Sequence, residues 1–196
     1  MSTLRYGILG SGFMGRTHAE AIQHIPNAEF VAVALGSRAP KLAADYGAAL
    51  CQSTEELVAR DDIDAVIITT PQYAHAEEAL LAAAHNKHLF IEKPMTTTVE
   101  DADAIIAACQ ERGLALGVGY QQRYRNVPRA TYEQIRSGAI GKVLTIQFNQ
   151  TFQMYVDPAF GGDWSWWANP ESVGHILAGG VHGIDLCRWM LGSEVV

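Results

Sequence analysis

Gly10-Ser11-Gly12-Phe13-Met14-Gly15 lies between an apolar run, Leu4 to Leu9, and a stretch of helical period, Met14 to Ile25. Glycines spaced this way, directly after a strand and opening a helix, suit the pyrophosphate of a dinucleotide. Gly10 permits the tight turn, Gly12 lets the backbone approach the phosphates, and Gly15 lets the helix pack on the strand. The helix N-terminus adds free N–H groups and the positive end of a dipole. After the second apolar run, Leu35-Gly36-Ser37-Arg38 offers no carboxylate for a ribose 2′-hydroxyl. A hydroxyl beside a guanidinium instead suits a 2′-phosphate. NADP is therefore expected, with NAD as the alternative. The bland readings are a plain glycine turn and two solvated loop residues.

These residues need a scaffold, and the chain alternates strand-length apolar runs with helical patterns. Strands are expected at Leu4 to Leu9, Phe30 to Leu35, Ala48 to Cys51, Ala65 to Thr69, His88 to Ile91 and Leu114 to Val118. Helices are expected between them, near Met14 to Ile25, Lys41 to Tyr46, after a Ser53 or Thr54 cap, Ala74 to His85, and Val99 to Arg112 before Gly113. Six strands alternating with helices imply a parallel sheet covered on both faces. After Gly119 the pattern changes. A helix at Ala130 to Ile135, a long alternating strand at Val143 to Phe152, an aromatic Gly- and Pro-rich stretch and a helix at Ile184 to Leu191 read as the start of a second unit.

Composition narrows the function. The chain has 196 residues, a formal net charge of −7 and no basic block, so nucleic acid and anionic membrane surfaces are disfavoured partners. Cys51, Cys109 and Cys187 are odd in number and widely spaced, which fits neither a disulfide framework nor a zinc knuckle. A cytoplasmic location is expected, since no secretory segment or bilayer-length apolar run is visible. No metal is expected either, because His175, His182 and Asp185 lack the helical HxxxH spacing.

The segments Thr70-Pro71-Gln72-Tyr73-Ala74-His75 and Glu92-Lys93-Pro94 each follow an expected strand. With the glycine loop, Gly138-Ala139-Ile140-Gly141 and Gly180-Val181-His182-Gly183-Ile184-Asp185, they make the chain resemble the glucose-fructose oxidoreductase / inositol dehydrogenase (Gfo/Idh/MocA) family over essentially its whole length. The resemblance implies an α/β fold: a Rossmann doubly wound parallel sheet over residues 1–120, then an incomplete α+β substrate and oligomerisation domain over 121–196. It puts Lys93 in contact with the nicotinamide ribose and the substrate hydroxyl, where a lysine of lowered pKa assists loss of the hydroxyl proton. Glu92 would orient Lys93 or the cofactor, and the Pro94 peptide bond is a candidate for cis. Thr69, Thr70, Pro71 and His75 would line the cofactor.

His182 matches the family's catalytic histidine, but Ala178 stands four residues earlier, where the family has an aspartate. Asp185, one helical turn on, is the available carboxylate to orient or charge the imidazole, and His175 is a further candidate. Tyr120, Gln121 and Arg123 match the turn that enters the family's substrate cleft, with Asp185 beside them as a softer substrate contact. Trp164, Trp166 and Trp167, with Phe152, Tyr155 and Phe160, could stack on nicotinamide or sugar, or pack on the sheet or a neighbouring subunit.

The resemblance implies hydride transfer between nicotinamide and a carbinol or carbonyl carbon of a sugar, cyclitol or related polyol. An aromatic or carboxylated diol is a rival substrate. The rival function is a dinucleotide-binding sensor or accessory subunit without turnover, motivated by Ala178 and by the chain's stop at its last helix. That stop reads as a fragment, with a homo-oligomer expected at full length.

Overall fold

The computed structural model describes residues 3–149 and 179–194. The chain divides into two compact units, residues 1–119 and 120–196.

The first unit is a six-stranded parallel sheet of order β3-β2-β1-β4-β5-β6. Its strands are β1 (Leu4–Leu9), β2 (Ala28–Ala34), β3 (Ala49–Leu50), β4 (Ala65–Ile68), β5 (His88–Ile91) and β6 (Leu116–Val118). The helices between them are α1 (Phe13–Ile22), α2 (Ala39–Tyr46), α3 (Thr54–Val58), α4 (His75–Ala84) and α5 (Val99–Arg112). Side chains alternate across a strand, so one strand feeds two cores. Ile8, Val33 and Ile67 pack with Ala19 and Ile22 of α1 and Leu42 of α2. Their neighbours Leu9, Ala32, Ala34, Val66 and Ile68 face the other way, against Leu57 of α3, Ala79 of α4 and Ile105 of α5. All four residues of β4 are buried, which is why that run carries no polar residue.

Local chemistry sets the helix ends. Ser53 accepts a hydrogen bond from the Glu56 N–H at 3.2 Å, while the Glu56 carboxylate accepts from the Gln52 N–H at 2.7 Å. This is a capping arrangement that satisfies two otherwise orphaned donors. Thr98 accepts from the Asp101 N–H at the start of α5, and Gly113 ends that helix at φ 64°.

The second unit contains a short 3₁₀ turn, Gln121–Tyr124, then α6 (Asn126–Arg136) and α7 (Val181–Leu191). The strand expected at Val143 to Phe152 is not found over 143–149, and its last three residues lie outside the described ones. Alternation describes one face of a strand, but only a hydrogen-bonded neighbour makes one, and the described residues supply none there. α6 is five residues longer than its expected core, because Arg125 and Asn126 open it ahead of the apolar pattern.

Candidate functional site

The strand order reverses between β1 and β4, and the loops leaving these two strands carry the glycine motif and Thr69-Thr70-Pro71. Such a switch point opens a crevice at the carboxyl edge of the sheet. Gly10 turns at φ 97°, and a Cβ there would stand 2.7 Å from Thr69 Oγ1 and 2.9 Å from the Thr70 nitrogen. Thr69 Oγ1 lies 2.9 Å from the Leu9 carbonyl and 3.1 Å from that of Gly10, tying the two loops together. A Cβ on Gly15 would collide with the Gly10 carbonyl, whereas one on Gly12 would meet nothing within 4 Å. The outer two glycines are therefore demanded by protein packing. Gly12 faces open space.

The start of α1 is prepared for an anion. Gly12 supplies no side-chain cap, and the first turn holds no acidic residue. Phe13 is exposed there and Met14 half-buried. With the cradle at Gly10 and Gly12, these features fit the pyrophosphate of a dinucleotide. Nearby, a Cβ on Gly36 would strike the buried Ser11 hydroxyl, so the turn after β2 closes on the glycine loop. Ser37 and Arg38 follow it and are both exposed. Gln72, quoted in the motif but given no role, is buried, and its Nε2 has no partner among the described residues.

His75 departs from its expected place. It is 1% exposed, with Nδ1 3.0 Å from the Pro94 carbonyl and Nε2 2.8 Å from the Thr70 carbonyl. Burial pushes the imidazole below its ordinary pKa. It therefore lies beneath the surface between the β4 loop and the turn after β5, where the neutral ring has one N–H to donate to one or other of these carbonyls.

The Lys93–Pro94 bond in that turn is cis. Glu92, at the end of β5, is buried and accepts from the Lys93 N–H at 3.2 Å. Its other oxygen lies 2.9 Å from His18 Nε2 of α1. A Cβ on Gly119 would come within 3.0 Å of the same carboxylate, so the end of β6 also closes on it. Burial lowers the Lys93 pKa from its ordinary value, with Glu92 acting in the opposite direction. A buried carboxylate beside a desolvated lysine is an arrangement able to hold and release a proton. His18 was missed by the sequence reading; nothing in a helix sequence marks which polar residue will meet a strand end 74 positions away.

In the second unit Arg123 Nε donates to Asp185 Oδ2 at 2.8 Å and Nη2 to Oδ1, a bidentate pair in which Asp185 is 5% exposed. Asp185, expected to serve His182, is held by Arg123. Spacing on α7 favours that pairing, but the planar guanidinium fork matches both carboxylate oxygens and takes them. Arg123 also sits 5.8 Å over the Trp189 ring, which stacks on Tyr132. His182 is buried and meets Tyr120 edge-on, with centroids 6.5 Å apart. Burial raises the Tyr120 hydroxyl pKa, and Asp185 adds to the rise. Gln121 is exposed. Phe152, Tyr155, Phe160, Trp164, Trp166, Trp167, His175 and Ala178 lie outside the described residues.

Comparison with known proteins agrees with this architecture. The model of an oxidoreductase family with an NAD-binding Rossmann fold matches residues 4–120, and that of the Gfo/Idh/MocA C-terminal domain matches residues 129–196. Inositol 2-dehydrogenase 3 of Saccharopolyspora erythraea is 32% identical over 99% of this chain and 55% of its own length. A 2,7-anhydro-N-acetylneuraminate hydratase of Mediterraneibacter gnavus is 28% identical over 98% and 50%. The crystal structure of apo scyllo-inositol dehydrogenase from Lactobacillus casei superposes with a TM-score of 0.81 at 26% identity, covering 98% of this chain and 56% of that one. The chain thus spans about half the length of the relatives it matches. With both parts matched in order, it belongs to the Gfo/Idh/MocA oxidoreductase family.

Proposed function

We propose that the protein is a nicotinamide-dependent oxidoreductase acting on a carbinol or carbonyl carbon of a sugar, cyclitol or related polyol. The observation that carries this reading is a desolvated lysine in a turn built on a buried carboxylate, at the carboxyl edge of a sheet that also holds a dinucleotide cradle. Nicotinamide, when bound, accepts or returns the hydride. The protein must handle the hydroxyl proton. Lys93 takes it in the oxidising direction, because desolvation makes its neutral form accessible nearer neutral pH. Glu92 holds the Lys93 backbone, and His18 and Gly119 hold Glu92. His182, in the second unit, is assigned the companion acid/base role, with Tyr120 against its ring. Gln121, Arg123 and Asp185 are assigned to the substrate side.

The cofactor is assigned to Gly10, Gly12, Phe13, Met14, Gly15, Thr69, Thr70, Pro71, Glu92 and Lys93, with His75 supporting from below. NADP preference is assigned to Ser37 and Arg38, which stand exposed where a 2′-phosphate would be read. Residues 1–120 form the cofactor domain, and residues 121–196 begin the substrate and oligomerisation domain. Among the described residues no helix is long and apolar enough to cross a membrane. A cytoplasmic homo-oligomer is the form assigned to the full-length protein.

Lys93→Ala tests the central role. Turnover on a panel of polyols should fall by about 10²- to 10⁴-fold while the dissociation constant for reduced cofactor changes little. Equal losses in both would make Lys93 a binding residue. Absence of turnover in the unaltered chain, with cofactor binding intact, would favour a sensor. Calorimetric titration with NADPH and NADH tests the cofactor choice: Arg38→Ala should weaken NADPH about tenfold and leave NADH unchanged, as loss of one charge-assisted contact predicts.

A further inference from the structure

The acid/base scheme leaves one buried carboxylate unused. Glu78, on the first turn of α4, is 7% exposed. Its Oε2 accepts from the Thr70 hydroxyl at 2.5 Å, while the Thr70 carbonyl meets the His75 ring. Thr70 is half-buried at the carboxyl edge of the sheet, and its backbone nitrogen is one of the atoms against which Gly10 must remain glycine. A hydroxyl has one proton and two lone pairs. Donating to an ionised Glu78, Thr70 can only accept from anything bound at the crevice. Once Glu78 is protonated, it can donate to Thr70, and the Thr70 proton is released to donate outward.

Building on the dinucleotide reading, we propose that Glu78 is a positioning residue of the nucleotide site, which decides by its protonation whether Thr70 presents a donor or an acceptor to the bound dinucleotide. Phosphate and ribose oxygens accept hydrogen bonds, so the protonated state is the one that binds more tightly. Loss of a negative charge near a polyanion acts in the same direction.

The surroundings allow Glu78 to change state near neutrality. Burial raises its pKa to about 7, against the Thr70 hydrogen bond, and the neighbouring Glu77 raises it further. α3, α5, β4 and β5 pack on α4. α3 carries Glu55 and Glu56 at exposed positions and buries Leu57 and Val58. α5 carries Glu100, Asp103, Glu111 and Arg112 exposed and Asp101 half-buried, and buries Ile105 and Cys109. β4 has no titratable residue, and β5 has His88, whose Nδ1 accepts from the Ala115 N–H. His75, on the same helix as Glu78, lies between two carbonyls. Among the described residues no cation neutralises Glu78.

NADH is the probe, since its pyrophosphate does not titrate in this range. Its affinity for the 196-residue chain should rise about fivefold from pH 8 to pH 6, the worth of one hydrogen bond gained. Glu78→Gln, whose amide mimics the protonated acid, should bind at pH 8 as the unaltered chain does at pH 6, with the step removed. A flat profile in the unaltered chain, or the same step in Glu78→Gln, would overturn the proposal. If the variant does not fold, binding at pH 7.5 in buffers of different ionisation enthalpy reads the proton directly: uptake supports the proposal, and no uptake overturns it. Absence of NADH and NADPH binding at every pH would instead overturn the dinucleotide reading on which it rests.

Discussion

The two edges of the parallel sheet treat charge in opposite ways. At the amino edge Arg5 donates to Asp64 from Nε at 3.0 Å and Nη2 at 2.8 Å, and its backbone N–H adds a third bond at 2.9 Å. Asp64 is held down to about pKa 2 as a result. Lys87, 8% exposed, donates to the carbonyls of Arg60 and Ile63 at 2.7 and 2.9 Å. Each of these groups has its partners in place. At the carboxyl edge burial raises Glu78 and lowers Lys93, so each is pressed toward its neutral form. One sheet therefore has an edge organised for stability and an edge held away from its electrostatic optimum, which is what proton chemistry near neutral pH requires.

The difference can be broken at Glu78. Its folded-state pKa is raised, so between its ordinary value of 4.5 and about 7 the folded chain keeps a proton that the unfolded chain has lost. Stability attributable to this group is full below 4.5 and is lost as pH rises through 7. Glu78→Gln removes that loss. The variant should gain on the unaltered chain as pH rises, from no change attributable to ionisation at pH 4.5 to about 3 kcal/mol at pH 8. Urea unfolding of both proteins at pH 5 and pH 8 measures this. A difference that does not grow with pH would place Glu78 in a solvated environment and remove the contrast between the edges.

The sequence exposed the scaffold more readily than this contrast. β1 and β5 were legible to the residue, because Leu4 to Leu9 and His88 to Ile91 are bounded by turn residues and apolar enough to be buried. Gly113 announced the end of α5, whose start the Thr98 hydroxyl caps. β3 was expected at Ala48 to Cys51 and is found there, but only Ala49 and Leu50 form it, because its length is set by pairing with Ala32 and Val33 of β2. The site divides similarly. Gly10, Gly15 and Lys93-Pro94 are sequence-local signals. Glu78 reads as an ordinary acidic residue in a helix's first turn, and only its enclosure on α4 beneath Thr70 makes it a buried titratable group. Asp185 was read through its spacing to His182 on α7, whereas its partner Arg123 lies 62 positions away. Packing against remote elements, which sets pKa values and side-chain partners, is the part of the site that spacing does not encode.

The amino edge supplies the smaller and opposite effect. Asp64 has a depressed pKa, so its stabilisation is present above its ordinary value of 3.8 and is lost as pH falls through about 2. Its side chain and that of Arg5 are each about a third exposed, 32% and 36%, so solvent screens the pair. Asp64→Asn should cost about 1–2 kcal/mol at pH 7, less than the unscreened shift alone would give, and the cost should shrink on acidification below pH 4. Denaturant unfolding at pH 7 and pH 3 measures it, with 0.5 M salt as a second condition in which the cost falls further. The two carboxylates then give difference curves of opposite slope in separate windows, Asp64 below 3.8 and Glu78 between 4.5 and 7. Equal slopes would mean that both edges answer their charges alike; opposite slopes tie the suppressed charge to the edge that carries the glycine cradle and Lys93.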